Sequence, residues 1–192
     1  SPFLPMLFMG EEYGEPNPFL YFVSHTDKEL ADAVRKGRKE EFADFHAEGE
    51  APDPVSEETF LRSKLQWQLL SQEPYQSVLK YYKKLIEIRK SHPVLSQLNR
   101  KNLEVSYNEG DQTLILHRWQ DEQHVICLMN FSKQEQQVLI PPYSEQWQKV
   151  LNSASPQWNG TFNAPEYLAE DVHIGLPPQS ILIYQSSLNQ PT

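Results

Sequence analysis

The sequence predicts an α+β chain, in which residues 1–95 hold the terminal strand and helices of a (β/α)8 barrel and residues 96–192 form an all-β antiparallel sandwich. Three observations predict it. The run Leu4-Pro5-Met6-Leu7-Phe8-Met9 is apolar at every position, the pattern of a strand buried on both faces of a parallel sheet. Before residue 95 the chain carries helical periodicity between loops rich in proline and aromatic residues. After it, short β-type runs recur at roughly ten-residue spacing, as in a sandwich.

The strand Phe3–Met9 cannot stand alone, because parallel neighbours need crossovers of a dozen or more residues. With Ser rather than Met at the first position, this gives the expectation that the chain is the C-terminal part of a longer protein. An apolar strand with an open edge seeks a substitute partner, so self-association is expected too. The plainer alternative is a buried strand or short core helix of a complete small protein.

A first helix is expected from Thr26, where the hydroxyl and Glu29 make a capping-box pattern. Leu30, Ala33, Val34 and Gly37 then share a face, and Gly37 implies close packing against another backbone or the helix end. Phe42 and Phe45 extend this face as aromatic anchors. The stretch from His46 to Ser56, with Pro52-Asp53-Pro54, has no core-forming period and reads as an exposed loop. A shorter helix is expected through Phe60, Leu61, Lys64, Leu65, Leu69 and Leu70, with Trp67 on its flank. The helix Tyr75–Ser91 has the firmest pattern: Val78, Leu79, Tyr82, Leu85 and Ile86 make its apolar face, and Pro93 ends it at His92.

Strands are expected at Leu103–Tyr107, Thr113–Trp119, His124–Met129, Gln136–Ile140, Trp147–Leu151, Val172–Leu176 and Ser180–Tyr184. Turn signals such as Asn108-Glu109-Gly110-Asp111 and Pro177-Pro178 separate them. Asn152 to Asp171 reads as a long loop around Trp158-Asn159-Gly160.

Composition narrows the function. A net charge of −9 argues against a nucleic-acid partner, and the basic cluster Arg35-Lys36-Gly37-Arg38-Lys39, followed by Glu40-Glu41, reads as a solvated helix face. No window approaches the ~20 apolar residues of a membrane span. Cys127 is the one cysteine and reads as a small buried hydrophobe, which fits a reducing, cytoplasmic setting. The six histidines are scattered without metal-ligand spacing, and the seven glycines form neither a dinucleotide nor a P-loop pattern. No metal and no cofactor is expected.

The adjacent carboxylates Glu11 and Glu12 invite comparison with the acid and nucleophile of glycoside hydrolysis. Adjacent residues of an extended chain point apart, whereas that pair must converge across one bond. No catalytic residue is therefore assigned. One carboxylate orienting a neighbour or a sugar hydroxyl at the C-terminal end of a barrel strand fits better. In the loop that follows, Phe19 and Phe22 serve equally as core, while Tyr21 and His25 have polar tips suited to a ligand.

These residues resemble a known family. Met9-Gly10-Glu11-Glu12-Tyr13-Gly14 is similar to the eighth-strand motif of glycoside hydrolase family 13, the α-amylase family. Pro18 to His25, Val34 to Phe42, Pro52-Asp53-Pro54 and Thr59-Phe60 resemble its trehalose-releasing branch. The resemblance is close over the first half and architectural over the second. It implies a retaining hydrolase acting on a maltooligosaccharide-type substrate, at the α-1,4 bond next to a terminal trehalose, with its catalytic carboxylates on earlier strands that this sequence lacks. The isolated chain is then expected to be inactive. Glu12, Tyr13, Tyr21 and His25 are carried over as substrate-binding rim candidates. Two alternatives stay open: part of a branching or debranching enzyme, and a non-catalytic carbohydrate-binding β module using Trp119, Trp147 or Trp158.

Overall fold

Helix α1 (Lys28–Asp44) starts where a side chain can take up its free N–H groups. That side chain is Asp27, whose Oδ1 accepts from Leu30 N at 3.0 Å, rather than the expected Thr26. The computed structural model describes residues 1–44 and 51–186, so Phe45 and residues 46–50 of the expected loop lie outside the described residues. The chain divides into two compact units, residues 8–75, and residues 1–7 with 76 onward.

In the first unit, α1 turns Ala31 inward and leaves Leu30 exposed, so its inner face is one residue out of register with expectation. Gly37 is neither a close-packing point nor a helix end, since a Cβ there would meet nothing within 4 Å. Arg35 pairs with Asp32 and Asp53, and Arg38 with Glu41, so the basic cluster is largely neutralised. Asp53 and Pro54 belong to the framework rather than to a free loop. Pro54 O accepts from Val23 N at 2.8 Å, and Asp53 O accepts from the Thr59 hydroxyl at 2.6 Å. The helix expected across Phe60–Leu70 is split into α2 (Glu57–Arg62), capped by the Ser56 hydroxyl, and a 3-10 turn at Trp67–Ser71.

The second unit contains α3 (Tyr75–Ser91, its first residue excepted), α4 (Pro93–Ser96) and eight strands. These are β1 (Leu103–Asn108), β2 (Thr113–Gln120), β3 (Gln123–Asn130), β4 (Gln136–Leu139), β5 (Gln146–Asn152), β6 (Tyr167–Ala169), β7 (His173–Leu176) and β8 (Ser180–Ser186). Six form an antiparallel sheet in the order β1-β2-β3-β8-β5-β6, and β4 pairs with β7. Helix α4 is new relative to expectation; the His92 ring caps it by accepting from Val94 N at 3.2 Å.

Strand alternation builds two cores. Ile126 and Leu128 of β3 pack with Val138, Ile140, Ile174 and Leu176 of the β4–β7 layer. Val125 and Cys127 turn the other way, onto Ile88, Val94 and Leu95 of the helices. The sandwich thus has a third, helical layer. Trp147 and Leu151 would share a face on a regular strand, but a register shift between Lys149 and Leu151 sends Trp147 into the first core and Leu151 into the second. Burial pushes the Cys127 thiol up to about 11.

Phe3–Met9 joins no ladder in this structure, because no described strand runs beside it. Leu4 and Met6 are 77% and 96% exposed. Arg89 instead donates to the carbonyls of Ser1 and Phe3, at 2.7 and 2.6 Å. Among the described residues no helix is long and apolar enough to cross a membrane.

A ring column closes one part of the large sheet. His117 stacks on Tyr143 at 3.8 Å, on Trp119 at 4.8 Å and on His124 at 5.2 Å between centroids. Its Nε2 lies 2.9 Å from His124 Nδ1. Glu104 faces the column from β1, accepting from the Tyr143 hydroxyl at 3.0 Å, and Glu122 acts on His124 from the β2–β3 turn. Desolvation, aided by His124 and opposed by Glu104, lowers the His117 pKa from 6.5 to about 4. Between those values an unfolded chain binds a proton that the folded ring refuses. Stability is therefore full above pH 6.5 and falls as pH drops toward 4, at roughly 1.4 kcal/mol per pH unit from this group. Thermal unfolding followed across that window should show the decline, and His117→Phe should reduce it, leaving the part contributed by His124, whose pKa desolvation also lowers against Glu122. An unchanged slope in the variant would assign the decline to other groups.

Candidate functional site

The motif Gly10-Glu11-Glu12-Tyr13-Gly14 folds as a single 3-10 turn over Glu11–Tyr13. Both flanking glycines adopt the left-handed conformation, φ +88° at Gly10 and +75° at Gly14, which side-chain-bearing residues adopt only with strain. At Gly10 space also demands glycine, since a Cβ would lie 2.7 Å from Glu15 Cβ. The turn is closed by Glu11, whose Oε2 accepts from Phe8 N at 3.0 Å.

Glu15 organises what surrounds this turn. Its carboxylate accepts from the Tyr13 hydroxyl at 2.6 Å, from Gln66 N at 2.7 Å and from Asn17 N at 2.9 Å, with Gln66 Nε2 at 3.3 Å. Desolvation would raise its pKa, but the donors led by Gln66 outweigh that cost and hold it below the usual carboxylate value. Around neutral pH Glu15 is therefore an acceptor and not a proton donor. The loop is tied further by Asn17 Nδ2 donating to Lys64 O at 2.8 Å and Leu20 N donating to Ser63 Oγ at 3.0 Å. Residues 10–20 are thus pinned onto residues 63–66.

Between these segments lies a cavity of about 400 Å³, bordered by Phe8, Gly10, Glu11, Glu15, Phe19 and Ser63. Phe8, Phe19, Phe22 and Phe60 form an edge-to-face chain with centroids 5.2, 6.0 and 5.2 Å apart. Phe19 keeps 53% of its surface exposed. Carboxylates fixed beside exposed aromatic rings can accept from hydroxyl groups while a ring covers an apolar ligand face.

The four rim candidates are distributed unevenly. Glu12 and Tyr13 share the glycine-bounded turn, with Glu12 half-buried and Tyr13 wholly buried. Desolvation and the Glu15 bond raise the Tyr13 pKa, so its phenol stays protonated. Tyr21 is exposed, with the Arg38 guanidinium 4.9 Å above its ring. His25 is exposed just before α1. The structure brings Tyr13 to Glu15, and through Glu15 to Asn17 and Gln66, none of which the sequence reading singled out; the cavity is bordered by Glu11 and Glu15 and by none of the four rim candidates. The proline-flanked Glu15-Pro16-Asn17-Pro18 was the available local signal; Gln66 lies 51 residues away and offered none. Among the described residues no group of three His, Cys, Asp or Glu converges as a metal site.

Comparison with known proteins adds to this geometry. Residues 104–183 match a family described as Domain of unknown function (DUF3459). A crystal structure of a candidate α-amylase from Salmonella typhimurium superposes with a TM-score of 0.70 at 29% identity, over 96% of this chain and 28% of that one. The class is that of α-amylase-type proteins, with the end of a barrel followed by a β domain. Within that class, the chain is a C-terminal portion related to the malto-oligosyltrehalose trehalohydrolases. It is 44% identical to that of Brevibacterium helvolum over 57% of this chain, and 39% identical to that of Rhizobium sp. (strain M-11) over 69%. These alignments span 19% and 22% of the two relatives, about a fifth of their length.

Proposed function

We propose that the chain forms the C-terminal end of a glycosidase that cleaves the α-1,4-glucosidic bond adjacent to the terminal trehalose of maltooligosyltrehalose and releases trehalose. The identity to two relatives bearing the trehalohydrolase name carries this reading. The site geometry agrees with it. In this reading Glu12, on the turn after the apolar run, and Tyr21 and His25, on the outer loop, are the ligand contacts, while Tyr13 is the strut that holds Glu15. Residues 1–95 complete the barrel, residues 96–192 are the supporting β domain, and the whole enzyme works in the cytoplasm. Glu11 and Glu15 both border the cavity, but each is engaged as a hydrogen-bond acceptor within the loop, so in this reading neither has a bond-breaking role and that chemistry belongs to the rest of the parent protein.

Two measurements test this. The purified 192-residue chain should release no trehalose from maltooligosyltrehalose. The full-length parent should release it, and Tyr21→Ala in that parent should raise KM more than it lowers kcat. Turnover by the short chain would show that the catalytic pair lies within it. Branched or debranched glucan as the only product of the parent would replace the trehalose reading with its sibling.

A further inference from the structure

The unit from residue 76 onward contains a cleft of about 540 Å³ formed by Tyr81, Met129, Phe131, Ser153, Gln179 and Ile181, with Asn130 and Ser180 beside them. That volume lies within the usual range of small-molecule sites. No acidic or basic side chain lines it among the described residues. A phosphate, nucleotide or metal ion would find no counter-charge there. Amide and hydroxyl groups beside an exposed ring suit a neutral ligand with many hydroxyls and an apolar face, which is the chemistry of a sugar.

The cleft is also fixed in advance of binding. Asn130 Nδ2 donates to the carbonyls of Leu176 and Pro177, each at 3.0 Å, and the Ser180 hydroxyl donates to Pro177 O at 2.6 Å. These bonds hold the β7–β8 turn. Gln179 stands on it with φ +49°, its N–H bonded to Ser132 O at 3.1 Å. The Gln179 side-chain amide has no hydrogen-bond partner among the described residues. Phe131, directly after β3, is 61% exposed. The Ser153 hydroxyl is part of this framework, accepting from Ile181 N at 2.8 Å and hydrogen-bonding the Tyr81 hydroxyl, and the Tyr81 ring meets Trp158 at 5.3 Å.

We propose that this cleft is a glycan-binding site of the β domain, taking a short neutral oligosaccharide with one ring stacked on Phe131 and its hydroxyl groups met by the Gln179 amide. The choice of an α-1,4-glucan as ligand rests on the function proposed above; the site itself does not.

The test uses the full 192-residue chain, titrated with maltotriose and separately with cellotriose, by calorimetry and by tryptophan fluorescence with Trp158 as the near reporter. Maltotriose should bind with one-site stoichiometry. Phe131→Ala should weaken it about tenfold and Gln179→Ala about threefold. Phe131→Trp should keep or improve affinity, and none of the three should move Tm, since these side chains are exposed. Cellotriose binding alone, with the same sensitivity to Phe131→Ala, would keep the site and remove the α-glucan reading. Maltotriose binding unaffected by either alanine variant, or no binding of either sugar, would overturn the site and leave the proposed enzyme untouched.

Discussion

Trp147→Ala is expected to destabilise the β domain by about 3–5 kcal/mol, the range for emptying an aromatic position in a packed core. Trp147 is wholly buried and sits where β5 meets the β4–β7 layer, among Ile126, Leu128, Ile174 and Tyr184. The cavity cannot collapse easily, because those neighbours come from three strands locked in two ladders. Its indole Nε1 is buried without a hydrogen-bond partner among the described residues. Trp147→Phe therefore loses no hydrogen bond and keeps most of the ring, and should cost under about 1.5 kcal/mol. Urea unfolding followed by far-UV circular dichroism measures both, with an unchanged slope marking a pure stability effect. Equal losses in the two variants would mean that the indole nitrogen has a partner after all.

Glu15→Ala is expected to destabilise the unit of residues 8–75 by about 3 kcal/mol. Three donors, the Tyr13 hydroxyl and the N–H groups of Gln66 and Asn17, lose a charged acceptor at once. Each such bond contributes about 1.5–3 kcal/mol, but water entering the gap recovers part of the sum. Glu15→Gln keeps an acceptor oxygen and should lose roughly half as much. Trp67 reports on this unit, because its ring lies 6.2 Å from Tyr13. A Trp119→Phe, Trp158→Phe and Trp147→Phe background leaves Trp67 as the sole indole, and its emission against urea gives the loss directly. A loss in Glu15→Gln equal to that in Glu15→Ala would show that charge, rather than acceptor geometry, holds the loop.

The parts of this fold legible in the sequence are those dictated by local periodicity. Tyr75–Ser91 carries an apolar pattern and a proline stop, and the helix has those same bounds, although its inner face runs through Tyr81, Leu85 and Ile88 while Ile86 of the expected face stays exposed. Seven strands fall within a residue or two of their patterns, since alternation and turn residues are written locally. Strand β6 escaped notice because three residues are too few to show a period. Helix α1 slipped by one position because Asp27 competes with Thr26 for the same N–H groups, and only geometry decides between them. The site was half legible. The glycine-bounded turn announced itself, whereas Glu15 acquires its role from Gln66, a partner that no local pattern reveals.

The offset between Lys149 and Leu151 makes one strand serve as a rivet through the domain, anchoring a large ring on one side of the sheet and a leucine on the other. Deleting a single residue at that offset would restore plain alternation. Val150 is the extra residue: without it Leu151 would stand three places from Trp147, still opposite Ile183 and still beneath the helices. What the offset supplies is therefore surface rather than direction: it sets Val150 and Leu151, two successive apolar side chains, against the same helical interior, where plain alternation would offer only one.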